Sequence, residues 1–257
     1  MTKIYAIANQ KGGVGKTTSV INLSGFLASS GRRVLMVDMD PQANATSGLG
    51  YNKYDMELSS YDLLLQNATP EEIIITHPEF KMDILPSHPG LSGAEVELVN
   101  AIGREYRLRD VLLGLNGRYD YILIDCPPSL SLLTLNALTA ARDGIIIPVQ
   151  CEYLALEGLG QLTQTIELVK KYLNPELVVR GLIMTMYDGR TNLSRQVVEE
   201  VRKHFPGKVF RTIVPRNVRL SEAPSFGQPI HIYAPGSPGG IAYKVLATEL
   251  VKGDKAK

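Results

Sequence analysis

Seven runs of strand length, most of them apolar throughout, restrict the fold of this chain more than anything else in it: Ile4–Ala8, Val34–Val37, Met82–Leu85, Tyr121–Ile124, Gly144–Val149, Leu182–Met186 and Val209–Val214. A strand with one face in water alternates apolar and polar residues, whereas one that stays apolar is covered on both faces. Between the runs lie stretches of helical length: Thr17–Ser30 closed by Gly31, Ala94–Leu115, Leu130–Ala141, Leu156–Tyr172, Leu193–His204 and Ile241–Val251. Strands alternating with helices predict right-handed crossovers and a doubly wound, mostly parallel α/β sheet. No repeat or linker is visible, so one domain over residues 1–257 is expected, and 257 residues suffice for one sizeable core. Residues 51–81 have mixed polarity and no clear period.

Composition excludes several classes. Two cysteines, Cys126 and Cys151, make no disulfide framework and fit a reducing, cytoplasmic setting. The histidines (His77, His88, His204, His231) are scattered and lack metal-ligand spacing. No apolar stretch reaches bilayer length, and the run after Lys3 is too short for a signal core. With a net charge of +1, any nucleic-acid binding has to come from local clustering.

The stretch Asn9-Gln-Lys-Gly-Gly-Val-Gly-Lys-Thr-Thr-Ser19 follows an apolar run and precedes a helix, the context of a phosphate loop. Gly12, Gly13 and Gly15 let the backbone curl so that successive N–H groups face one concavity at a helix start. Lys16 supplies a point charge to β- and γ-phosphates, and the Thr17 hydroxyl suits Mg²⁺. The common pattern needs glycine where this chain has Gln10, so the motif, KGGVGKT, is a deviant one. The bland alternative is a glycine-rich turn without a ligand.

Three carboxylates fit the same edge. Asp125 ends the run Tyr121–Ile124, where ligands of open α/β sheets gather, and it would meet Mg²⁺ through a water. Asp38 and Asp40, two residues apart, share one face of an extended segment and can serve the metal's water shell and an attacking water. A polar strand end with turn-forming Asp and Pro is the alternative.

Here the sequence resembles the ParA/Soj partitioning ATPases, within the group that includes MinD and the nitrogenase iron protein. The resemblance rests on KGGVGKTT at 11–18, VDMDPQANATSGLG at 37–50, YILIDCPPS at 121–129, PVQCEYLALEGL at 148–159 and PRNVRLSEAPS at 215–225. It implies a SIMIBI-type P-loop sheet and an ATPase with ATP and Mg²⁺ as cofactors. The loop Lys11, Gly12, Gly13, Val14, Gly15, Lys16, Thr17 and Thr18 would bind the nucleotide, with Lys11 reaching across a homodimer to the other subunit's nucleotide. That trans cation would act much as an arginine finger does. The resemblance further makes Asp40 the water-positioning group, Asp38 a helper near the metal and Asp125 a magnesium group acting through water. Pro215 and Asn217 match adenine-pocket positions.

Departures narrow the choice within the group. Neither cysteine matches the cluster-ligand loops of the nitrogenase iron protein. The C-terminal segment Ala247–Lys257 reads as the end of a packed helix rather than the membrane helix of MinD, so no membrane partner is expected. One domain is present where arsenite-pump ATPases have two.

Residues 180–220 hold nine lysines and arginines against three acids, a local excess of +6 in a chain of net +1. Such asymmetry suits a phosphate-binding face, although composition alone favours a solvated helix face with Arg195–Glu199 pairing. The resemblance matches Arg190 and Arg219 to arginines that bind nonspecific double-stranded DNA in the ATP-bound dimer. With no base-reading module recognisable, phosphate contact is the expected mode. The expectation is therefore an ATP-dependent, nucleoid-associated partitioning ATPase stimulated by a ParB-type partner. A MinD-like membrane regulator and a P-loop metabolic ligase are the rivals.

Overall fold

The computed structural model describes residues 1–153 and 155–255. Leu154 of the 148–159 motif, and Ala256 and Lys257 of the C-terminal segment, lie outside the described residues. Seven strands form one sheet: β1 (Lys3–Ile7), β2 (Val34–Asp38), β3 (Ile75–His77), β4 (Met82–Leu85), β5 (Tyr121–Asp125), β6 (Gly144–Gln150) and β7 (Val179–Thr185). Their order is β3-β4-β2-β5-β1-β6-β7. Every pairing is parallel except β3 with β4. The doubly wound, mostly parallel sheet expected from the apolar runs is the fold observed.

Successive strand residues serve two cores. Ile4, Ala6, Leu35, Val37, Ile122 and Ile124 face one cluster with the helices Leu132–Ala140, Ala155–Tyr172 and Asn192–His204. Tyr5, Ile7, Val34, Met36, Tyr121 and Leu123 face the other, with the helices Lys16–Ser29 and Pro238–Lys255. Burial on both faces is why the runs carry almost no polar residue.

Two expectations need correction. Val209–Val214 is extended beside β7 but forms only isolated bridges, Leu182 with Val209 and Tyr187 with Pro215. The ladder is interrupted because the Glu249 carboxylate takes the Arg211 N–H (2.7 Å), the Thr212 N–H (3.1 Å) and the Thr212 hydroxyl (2.8 Å). Ala94–Leu115 is not one helix but Leu91–Glu97, a 3₁₀ turn Arg104–Tyr106 and Arg107–Gly114. The first helix ends at Glu97, Gly103 at φ 67 leads into the 3₁₀ turn, and the buried Asn136 amide satisfies the gap by donating to Arg104 O (2.9 Å) and accepting from Leu108 N (3.1 Å). Residues 51–81 hold two short helices, Ser60–Leu65 and Pro70–Ile73, and the edge strand β3.

Candidate active site

Strand order assembles the site. β1 lies between β5 and β6, with Ile7 level with Asp125, and β2 flanks β5 with Asp38 level with Asp125. The loop after β1 and both strand-end carboxylates therefore meet at the carboxyl edge of the sheet, at the point where the chain winds to either side.

Gly13 (φ 74) and Gly15 (φ 90) take the left-handed conformation that turns the loop into the helix Lys16–Ser29. That helix starts with no side-chain cap and no acidic residue in its first turn, so its leading N–H groups are suited to an anion. Lys16 is buried, and its Nζ donates to the Lys11 carbonyl at 3.1 Å. Burial pulls its pKa below the usual lysine value, while the Asp125 charge opposes the shift.

Side chains outside the motif hold the loop. The buried Asn9 amide donates to Pro148 O of β6 (2.7 Å), and its oxygen accepts the Lys11 N–H (3.0 Å). Gln10 donates to the Thr165 hydroxyl (3.0 Å), and Thr185 at the end of β7 donates to Val14 O (2.9 Å). The position where the common motif has glycine thus carries a tether to the helix Ala155–Tyr172.

Asp38 is fully buried and accepts from Asp40 N (3.1 Å), Thr46 N (2.8 Å) and Thr46 Oγ1 (2.8 Å). Burial raises its pKa to about 6 despite those bonds. Its structural task is to fold residues 39–46 over the strand end. Thr46 also accepts the Ser87 N–H (2.9 Å), and Ser87 donates to Asp40 O (2.8 Å). Asp40, 6% exposed, accepts from Gln42 N (2.9 Å).

Asp125 is the contrasting case. It is wholly buried, and neither carboxylate oxygen has a hydrogen-bond partner. Burial, then the neighbouring Asp38 charge, hold its pKa well above the usual carboxylate range, with Thr17 and Lys16 pulling the other way. Such an orphaned pair of acceptors beside a loop hydroxyl fits a hydrated Mg²⁺ shared with phosphate. Among the described residues no cluster of three or more His, Cys, Asp or Glu can cage a metal.

A cleft of about 410 Å³ opens beside the loop, lined by Gly15, Thr18, Thr185, Met186, Pro215 and Asn217 among others. Pro215 and Asn217, distant in sequence from the loop, are thus brought next to it. Asn217 Oδ1 is buried without a partner, and Met186 adopts φ 52, an uncommon backbone for such a residue.

Arg190 and Arg219 lie on neighbouring segments, joined where Arg216 N donates to Tyr187 O (2.9 Å). Arg190, with an 88% exposed side chain, pairs with Asp188 at 2.6 Å, and Arg219 with Glu222 at 2.8 Å. Arg180, counted in the basic segment, does not belong to any such face: it is buried against Asp254 at 3.0 Å at the opposite end of β7. Sequence reasoning missed Asn9, Thr46, Ser87 and Thr185. Nothing in their types or spacing sets these residues apart from ordinary turn and core polar groups, because the bonds from Asn9 to Pro148, between Ser87 and Thr46, and from Thr185 to Val14 span 41 to 171 residues.

Comparison with known proteins agrees with this geometry. A family profile described as an AAA domain matches residues 2–179. The sporulation initiation inhibitor protein Soj of Bacillus subtilis is 56% identical over 250 residues, 97% of this chain and 98% of Soj. The chromosome partitioning protein ParA of Myxococcus xanthus is 56% identical over 257 residues, 99% of this chain and 90% of that one. A crystal structure named cobyrinic acid a,c-diamide synthase, from Mycobacterium smegmatis with bound ADP and magnesium, superposes with a TM-score of 0.88. It is 39% identical, covering 100% of this chain and 96% of its own. A second crystal structure of that protein holds an ATP analogue with magnesium, so the adenine nucleotide and Mg²⁺ expected for this chain are the cofactors of these similar structures. By the two relatives that match it from end to end, the chain belongs to the ParA/Soj family of partitioning ATPases.

Proposed function

We propose that this chain is an ATP-dependent dimerising switch that binds nonspecific DNA in its ATP state and drives chromosome or plasmid partitioning with a ParB-type partner. The observation that carries the reading is the contrast between the two loop lysines. Lys16 is buried and turned into the loop, where a β/γ-phosphate would replace the Lys11 carbonyl as its partner. Lys11 stands at the loop's outer flank and makes no ion pair among the described residues, which suits a cation offered to a second subunit.

The remaining roles follow from position. Gly12, Gly13, Val14, Gly15 and Thr18 supply the backbone cradle, and Pro215 and Asn217 line the adenine side of the cleft. Thr17 and Asp125, with Asp38 beside them, would hold magnesium, which neutralises charge on the phosphate oxygens when bound. Asp40, braced by Gln42 and Ser87, orients the attacking water. Arg190 and Arg219 contact DNA phosphates by exchanging their intramolecular carboxylates, since exposed ion pairs of this kind are weak and readily exchanged. Asp38 also fixes the 39–46 segment, so its substitution affects more than the metal.

The Mycobacterium smegmatis protein bears the name of an amide-forming enzyme, so a ligase remains the reading to separate. ATP turnover raised by DNA and partner protein, with no small-molecule acceptor added, distinguishes the two. The direct test is sedimentation of Lys11→Ala. It is expected to bind ATP as a monomer with near wild-type affinity yet fail to form the ATP dimer. A normal ATP dimer removes Lys11 from the interface.

A further inference from the structure

The helix Pro238–Lys255 carries two acidic residues in its sequence, Glu249 and Asp254. Both are used on one side of the helix. Glu249 binds the 211–212 backbone, and Asp254 accepts from Tyr5 OH (2.7 Å), Tyr121 OH (3.0 Å) and the Arg180 guanidinium (3.0 Å). The other side borders a groove of about 680 Å³ against the end of the helix Lys16–Ser29. The groove's charged lining is Arg32, Lys244, Lys252 and Lys255, with no carboxylate among the described lining residues. None of these four cations forms an ion pair among the described residues, unlike Arg180, Arg190, Arg216 and Arg219.

The floor of the groove is apolar, with Phe26, Leu27, Pro235, Ala247 and Val251. Lys244, Thr248 and Lys252 follow at four-residue steps, so they line one edge of the helix. From Lys244 to Lys255 that edge runs for about 16 Å at 1.5 Å per residue. A DNA duplex meets a protein with its phosphates and has nothing to place on an apolar floor. A helix with an apolar face and acidic flanks matches floor and rim together.

We propose that this groove docks an acidic amphipathic helical segment of a partner protein, a site separate from the nucleotide cleft and from Arg190 and Arg219. Apolar residues of the segment would cover Phe26, Ala247 and Val251, and its carboxylates would pair with Lys244, Lys252 and Arg32.

The test uses the full chain and a fluorescein-labelled synthetic peptide of about four helical turns, with leucines on one face and glutamates along both flanks. A scrambled peptide of the same composition, a short DNA duplex and phosphatidylglycerol vesicles are the comparison probes. The amphipathic peptide is expected to bind equally in ATP and ADP and at least tenfold more tightly than the scrambled one. Lys244→Glu/Lys252→Glu is expected to weaken it at least tenfold, with ATP turnover unchanged. Thr248→Tyr, which fills the groove without changing charge, should weaken it comparably and serves if the double variant folds poorly. Equal binding of the two peptides, or unaltered peptide binding by both variants, overturns the proposal. Loss of duplex or vesicle binding in the variants, with the peptide unaffected, overturns the assigned occupant.

Discussion

A buried carboxylate with nothing to accept from costs stability, and Asp125 is such a group, level with the buried Asp38 on the adjoining strand. Both fold with raised pKa values, Asp38 to about 6. The folded state therefore keeps protons that the unfolded chain has released above about pH 4, so stability falls as pH rises through the folded-state values. Asp125→Asn removes one of these charges. Without nucleotide or magnesium at pH 8 it should melt about 3–6 °C higher than wild type, the gap closing below pH 4, while ATP turnover is lost. Melting curves from pH 4 to 8 check this, and an equal or lower melting temperature at pH 8 contradicts it. A second residue acts on geometry. Asn9 ties Lys11 to β6 through bonds of 2.7 and 3.0 Å. Asn9→Ala should leave ATP affinity in the monomer within about threefold, since Lys16 and the glycines remain, but weaken ATP-driven dimerisation at least tenfold. Calorimetry with sedimentation separates these effects, and unchanged dimerisation removes Asn9 from that role.

At the scale of elements, the segment 208–216 shows how one side chain substitutes for a strand partner. Glu249 binds two N–H groups and one hydroxyl there, and Val214 and Pro215 line the nucleotide cleft beyond. Glu249→Ala should cost about 2–3 kcal/mol, as the charge-assisted bonds are lost, and weaken nucleotide binding by loosening the cleft wall. Denaturant titration and calorimetry test both parts, and lost stability with unchanged nucleotide affinity would uncouple segment from cleft. This segment also marks where the sequence stops being legible. Val34–Val37 and Tyr121–Ile124 announce buried strands because both their faces meet apolar layers. Val209–Val214 has similar composition, yet its pairing is decided by Glu249, some 38 residues later, which no local pattern encodes. The helix over 94–115 fails in part for the same reason: the backbone between Glu97 and Arg107 is held by the amide of Asn136, about 30 residues later. The phosphate loop, Asp38 and Asp125 were readable because each stands at the end of an apolar run. Pro215 and Asn217 came only from the family resemblance, since a turn far along the chain carries no local sign of a neighbouring loop.

For the whole molecule, the fold places the glycine loop and the acidic strand ends at the carboxyl edge of the sheet, and the arginines proposed for DNA on segments bordering the same cleft. Arg190 and Arg219 each hold an internal carboxylate, and the proposed ATP dimer would double their number per particle. Because salt dependence grows by about 0.9 in log–log slope per phosphate contact, the dimer should bind far more tightly and more salt-sensitively than the monomer. The most direct measurement is retention of the purified chain on an unrelated DNA duplex across a salt series, in ATP and in ADP, with Lys11→Ala alongside. The account predicts retention in ATP with a steep salt slope, little retention in ADP, and Lys11→Ala behaving in ATP as wild type does in ADP. Equal retention in ATP and ADP, or full retention by Lys11→Ala, would contradict it.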